Sequence, residues 1–123
     1  MADNILNITG YLESAIRAEG IRQKAIASNI ANSQTPGYRR VDVRFADIVA
    51  DAMEGHANIE PTDIEGELFQ PMTTAPDSRD NDVNLDAEIG EMVKNTLLQK
   101  TYMRLLARKY RQAEIAMNTG SLG

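Results

Sequence analysis

At 123 residues and a net charge of −5, the chain has room for one domain, and its acidic balance argues against nucleic acid as the main partner. It has no Cys, which excludes disulfides and thiolate metal sites. With 5% aromatic residues, no Trp and no run approaching ~18 apolar residues, it offers material for neither a large compact core nor a membrane span.

The opening residues Met1 to Leu6 carry Asp3 where a secretory signal needs a basic region, and they lack its apolar core. Any export is therefore expected to proceed without a cleaved signal peptide. From Ile5 to Ile30 the apolar residues recur at helical spacing. Ile5, Ile8, Leu12, Ala15, Ile16, Ile26 and Ile30 fall on one stripe, interrupted by Glu19, Arg22 and Gln23. Gly20 sits mid-stripe and costs roughly 1 kcal/mol relative to Ala, so this helix is expected to be marginal alone.

The helix runs into Asn29-Ile30-Ala31-Asn32-Ser33-Gln34-Thr35-Pro36-Gly37-Tyr38. Pro36 lacks an N–H and pushes Thr35 toward extended geometry. Pro-Gly is the preference of a type II turn, so the chain is predicted to change direction there, with Tyr38 as an aromatic anchor. Val41, Val43 and Phe45 then alternate with Asp42 and Arg44, which predicts a short extended segment, and Ala46 to Met53 reads as a brief helix. The stretch from Gly55 to Asp82 holds three of the four prolines and shows no periodicity. It is expected to be loop, partly disordered in an isolated subunit.

The last third carries the stronger helix signal. Leu85, Ile89, Met92, Thr96, Gln99, Met103, Leu106, Tyr110, Ala113 and Met117 alternate four- and three-residue steps, a sustained heptad seam. Asn84 or Asp86 can cap the helix, acids favour its start, Lys109 and Arg111 its end, and Gly120 can terminate it. Val93, Leu97, Leu98, Leu105 and Ile115 lie off the seam, either as ordinary exposed residues or as contacts to further subunits. Lys100, Arg104, Arg108 and Arg111 line one face. That face is either solvated or an electrostatic dock for acidic neighbours, such as Glu13 or Glu19 of other copies.

Little here suggests chemistry. Asp80 to Glu91 places oxygen side chains at the EF-hand positions, but Leu85 stands where the sharp turn demands Gly. The stretch reads instead as helix capping and a solvated acidic face. His56 is the only histidine and reads as a surface residue, so neither metal ligation nor a catalytic triad has partners. No catalytic, cofactor-binding or metal-binding residue is assigned, and the chain is expected not to be an enzyme.

The segment Ala31-Asn32-Ser33-Gln34-Thr35-Pro36-Gly37-Tyr38, with a heptad helix at the other end of the chain, resembles the rod and hook family of bacterial flagella. Its short proximal-rod members are the most similar, on Asp42 and Phe45 after the turn and on Val83 to Ile89 at the start of the second helix. Ser33-Gln34 and Ile89 are mild departures from the family pattern. The resemblance covers roughly two thirds of the chain.

It implies a mainly α fold in which long N- and C-terminal helices pair as a coiled-coil-like hairpin with a short irregular or extended middle. Residues 1–35 and 84–120 would form a discontinuous helical assembly domain, and 36–83 the turn, extended segment and flexible loop. Ile5, Ile8, Leu12, Ile16, Ile26 and Ile30 would pack against the C-terminal seam. Full order would require neighbouring subunits. The implied function is a structural subunit of the basal-body rod, a periplasm-spanning assembly. It would be exported unfolded by the flagellar type III apparatus, with other copies, related rod proteins and basal-body ring or rod-adaptor components as partners. Phe45-x-x-x-Val49 matches the aromatic-x-x-x-aliphatic pattern thought to be read by the export gate, and equally suits packing beside the turn. The alternative reading is a cytoplasmic helical-hairpin adaptor or secretion chaperone.

Overall fold

The computed structural model describes residues 2–55 and 58–122, with side chains from Asn7 to Gly120 across those spans. His56 and the side chain of Ile5 therefore lie outside the described residues. In chain order come helix α1 (Ala2–Ala31), strand β1 (Asp42–Arg44), helix α2 (Ala46–Met53), a 3₁₀ turn at Pro61–Asp63, strand β2 (Glu67–Phe69) and helix α3 (Leu85–Leu122). The protein is mainly α, with the two long terminal helices packed together and a short irregular middle. At ~1.5 Å per residue, the 30 residues of α1 reach about 45 Å and the 38 of α3 about 57 Å.

The helices run antiparallel: Asn29 meets Glu88, Glu19 meets Asn95, and Glu13 meets Tyr110. The start of α3 is fixed by Asn84, whose Oδ1 accepts the Ala87 N–H at 3.0 Å and closes an N-cap. Gly120 does not end the helix, which continues to Leu122.

The middle is more ordered than its composition suggests. β2 pairs antiparallel with β1 in the register Asp42↔Phe69, Val43↔Leu68 and Arg44↔Glu67. The Arg44 guanidinium stacks 4.5 Å from the Phe69 ring centroid, a diagonal cross-strand contact. Ile64, inside the stretch expected to be loop, is 1% exposed and among the most deeply buried side chains described. The segment 61–66 lies along the Gly10, Ser14, Ala18 face of α1. A Cβ on Gly10 would meet Pro61 Cβ at 2.9 Å, and one on Gly66 would meet Val43 Cγ1 at 2.7 Å and Ala18 Cβ at 3.4 Å. Ser14 Oγ donates to the Pro61 carbonyl, and Arg17 donates to the carbonyls of Thr62 and Ile64. Small side chains at four-residue spacing thus admit a backbone, which loses its polarity problem to Ser14 and Arg17. A period read from isoleucines alone misses this face.

The expected α3 seam is also displaced. The side chains turned toward α1 are Glu88, Asn95, Tyr102, Leu106 and Ala113, with Met92 and Gln99 half-buried at the edge. Leu85, Ile89, Met103, Tyr110 and Met117, expected to be packed, are exposed. The reason is physical: α1 offers polar partners on its facing stripe, and α3 rotates to present Glu88 and Asn95 to them. On α1, Ile26 is buried, Leu12, Ile16 and Ile30 are half-buried, and Ile8 is exposed.

Gly66→Ala should force Val43 away from α1. Overpacking of this kind costs about 1–3 kcal/mol, and the expected outcome is a lower denaturant midpoint with an unchanged slope.

Candidate assembly joint

Among the described residues, eight polar or charged side chains are buried against six apolar ones, and three of those six are alanines. The joint between α1, the turn and the start of α3 is therefore held by hydrogen bonds more than by apolar bulk.

Asn29, on the last turn of α1, is 0% exposed. Its Oδ1 accepts the Tyr38 hydroxyl and the Val41 N–H, each at 2.9 Å. Its Nδ2 donates to the Val41 carbonyl at 2.9 Å and to Glu88 Oε2 at 3.1 Å. Two acceptor sites and two N–H donors are the full capacity of a side-chain amide, and all four are used. One side chain thus holds both the N–H and the carbonyl of Val41, anchors the aromatic ring that follows the turn, and touches α3.

Around it the turn forms as its sequence predicts. Asn32 Nδ2 donates to the Ser28 carbonyl at 2.9 Å, its Oδ1 accepts from Thr35 Oγ1 at 3.1 Å, and the Thr35 N–H closes on the Asn32 carbonyl at 3.0 Å. Gly37 has φ +77°, and the Tyr38 N–H donates to the Thr35 carbonyl at 3.3 Å, with Pro36 and Gly37 at the turn's centre. Ala31, Thr35, Pro36 and Gly37 are exposed, and Tyr38 is half-buried.

The turn is tied to the chain just before α3. Asn81, 1% exposed, donates from Nδ2 to the carbonyls of Asn32 and Thr35, both at 2.9 Å, while the Gly37 N–H donates to the Arg79 carbonyl at 3.0 Å. Arg39 pairs with Asp80 at 2.5 Å. The Arg40 N–H donates to Asp82 Oδ1 at 2.6 Å, and its Nε to Glu88 Oε1 at 2.7 Å. Burial works against the charged Arg40 guanidinium, but the bond to Glu88 and its charge outweigh it and hold the pKa above the ordinary arginine value. Of the Asp80–Glu91 acids considered for calcium, Asp80 pairs with Arg39, Asp82 accepts the Arg40 N–H and Glu88 pairs with the Arg40 guanidinium. Among the described residues no group of His, Cys, Asp or Glu could hold a metal ion, and no helix is long and apolar enough to cross a membrane.

A second polar tie lies midway along the helices. Asn95, 1% exposed, donates from Nδ2 to the Glu19 carbonyl at 2.7 Å and to Glu19 Oε2 at 2.8 Å. Glu19 also accepts from Arg22, which reaches the Val43 carbonyl at 3.0 Å and Asp42 at 3.4 Å. Glu19 is therefore closed to other subunits. Glu13 accepts from Tyr110 and from Thr62 Oγ1, so it too is occupied within the chain. Phe45 is half-buried in a cleft with Leu98 and Tyr102, and the Val49 N–H donates to the Phe45 carbonyl at 2.9 Å. Both side chains are half-buried in the folded chain.

Of the residues marked in the sequence, the turn residues are brought together. Of the seam, Met92, Leu106 and Ala113 are half-buried toward α1, whereas Leu85, Ile89, Met103, Tyr110 and Met117 are exposed. The missed members of the joint are Asn29, Arg40, Asn81, Asp82, Glu88 and Asn95. The available signal was Glu19, a charge breaking an apolar stripe, which calls for a buried partner on the facing helix.

Two predictions come from this geometry. Asn29→Ala leaves the Val41 N–H and carbonyl unpaired and the Tyr38 hydroxyl with only Ser28 Oγ at 3.2 Å. At about 1–3 kcal/mol per buried orphan, the expected loss is at least about 2 kcal/mol in a chemical denaturation experiment. Asp77 accepts the N–H groups of Arg79 and Asn81 at 2.8 and 3.1 Å, which lower its pKa, and the Tyr110 and Thr62 hydroxyls do the same for Glu13. A lowered folded pKa gives stability that is complete above the unfolded carboxylate range, near pH 4, and lost as pH falls through the folded value. Thermal melts should therefore weaken below about pH 4, and Glu13→Gln should flatten that acid limb.

Comparison with known proteins places the same joint in a family context. The family described as "Flagella basal body rod protein" matches residues 11–39, from the third turn of α1 through Arg39. The flagellar basal body rod protein FlgB of Bacillus subtilis is 25% identical over 118 residues, which cover 89% of this chain and 92% of that protein. FlgB of Yersinia ruckeri is 25% identical over 125 residues, covering 86% and 90%. A shorter stretch of 54 residues is 35% identical to FlgB of Proteus mirabilis, covering 44% of this chain and 39% of that protein. The similarity is at family level, and with the first two relatives it spans both long helices.

Proposed function

We propose that the chain is a structural subunit of the bacterial flagellar basal-body rod, placed at the proximal end and polymerising with its own copies and related rod proteins. The observation that carries this reading is the match over residues 11–39, which falls on the joint that fixes the geometry of the molecule. The physical ground is an unpartnered apolar stripe. Leu85, Ile89, Val93 and Leu97 are 44%, 51%, 57% and 61% exposed and follow one another at four-residue steps on a side of α3 turned from α1. A row of that kind on a single helix face is what packing between subunits would cover.

The turn then has a mechanical role. It sends the chain back along α1 at an angle set by Asn29, Asn32 and Asn81, and so positions the β1–β2 segment beside the helices. Passage through an export channel requires the chain to unfold, and a thin core held by hydrogen bonds that water can replace suits that requirement. Phe45 and Val49 would be legible to an export gate only in the unfolded chain. Contacts with basal-body ring or rod-adaptor components belong to the same reading.

Isolated basal bodies from cells expressing a tagged chain should contain it, and its absence there would sink the proposal. Gly37→Val should abolish incorporation, because a β-branched residue at φ +77° is a genuine outlier. Normal motility in that variant would count against the turn's role. Phe45→Ala should lower the amount secreted if the export contact holds, and normal secretion would assign Phe45 to packing alone.

A further inference from the structure

We infer that Lys100, Arg104, Arg108 and Arg111 form a docking stripe for a second copy of this chain, and that the stripe receives Asp47 and Asp51 of helix α2. The inference rests on the subunit reading above and supplies a specific contact for it. All four basic residues are exposed, on the face of α3 roughly opposite Tyr102, Leu106 and Ala113, which face α1. None of the four has a hydrogen-bond or ion-pair partner among the described residues, and neither has Asp47 or Asp51.

Three observations argue for a copy as the occupant. The first is charge segregation. Residues 92–113 contain six Lys and Arg and no Asp or Glu, in a chain with 13 basic and 18 acidic side chains. The remainder therefore holds seven basic against 18 acidic, so an identical chain offers this stripe a surface of opposite net charge. The second is spacing. Asp47 and Asp51 stand four residues apart on α2, as Arg104 and Arg108 do on α3, a rise of ~6 Å in both helices. Two ion pairs form together when the helices lie side by side. The third is self-repulsion. Like charges at four-residue spacing disfavour their own helix, and Lys100, Arg104 and Arg108 repeat that spacing with no acid between them. An acidic partner removes that penalty.

Donor and acceptor patches are different surfaces of the molecule, and α2 makes no ion pair with the stripe of its own chain. The contact is therefore head-to-tail, the class that repeats into a ring or a helical filament instead of closing as a two-fold dimer. The exposed ion pairs would set orientation and register more than raw affinity.

Sedimentation of the purified chain tests this. Wild-type protein should associate at about 20 mM salt and come apart at about 500 mM, where exposed charges are screened. The pairs Arg104→Glu/Arg108→Glu and Asp47→Lys/Asp51→Lys should each weaken association about tenfold or more at low salt, with helix content by circular dichroism unchanged. Mixing the two variants should restore association, since lysines on one chain then meet glutamates on the other. The inference is overturned if wild type stays monomeric at low salt, if neither swap weakens association, or if the mixture stays dissociated. The rod reading fails separately, when the chain is missing from basal bodies, so the two failures are distinguishable.

Discussion

The structure depends on the saturated amide of Asn29. Two long helices whose facing stripes are alanine-rich on α1 and largely polar on α3 bury too little apolar area to fix their relative position by packing alone. An amide with all four hydrogen-bonding positions used, at 0% exposure, supplies direction where dispersion supplies only attraction. Through it the end of α1, the ring of Tyr38, the Val41 peptide and the first turn of α3 become one unit. The Glu88–Arg40 pair extends that unit by neutralising the one full charge the amide contacts. A buried ion pair is weak evidence for stability by itself, and its attested use is register. Register is what an antiparallel pair of uninterrupted helices lacks, because sliding by one turn leaves a similar apolar surface in contact. The Glu19–Asn95 tie fixes the same register a second time farther along the helices.

This arrangement also explains Gly10 and Ala18 of α1. Gly10 and Ala18 sit where the 61–66 segment crosses the helix at backbone distance, and Gly66 sits where that segment meets Val43. Any larger side chain there would push the β1–β2 ribbon off the helix. The ribbon's strands are three residues each and pair only with each other, so their position is borrowed from α1.

What could be read in the sequence followed from local rules. Pro36-Gly37 specifies its turn through fixed φ and missing Cβ, and Ala46–Met53 declares itself by period and length. Both appear as the residues dictate. The facing of α3 did not yield to the same reasoning. A heptad seam counts apolar residues, whereas this interface chooses its face by placing Glu88 and Asn95 opposite Asn29 and Glu19. Polar pairing across 59 and 76 residues of chain leaves one local trace, the charge of Glu19 that breaks the apolar stripe of α1. The alternation of Val41, Val43 and Phe45 did mark β1, whereas Ile64 and β2 escaped for a related reason: a three-residue strand lying between Pro61 and Pro71 carries no period to detect.

The displaced seam has a consequence for assembly. If the apolar stripe of α3 had packed on α1, the outer surface of the hairpin would be polar and the subunit self-sufficient. Because hydrogen bonds hold the two helices instead, Leu85, Ile89, Val93 and Leu97 remain exposed, and hydration of that stripe is unfavourable until something covers it. Polar contacts, which are short-ranged and directional, hold the subunit together. Apolar and long-range electrostatic contacts are left for other molecules. On the rod reading, that division would let a chain stay monomeric and weakly folded while dilute, then gain order as neighbours arrive, since each added contact stabilises the folded form by mass action. A subunit built the opposite way, with an apolar core and a polar skin, would fold well and have little reason to polymerise.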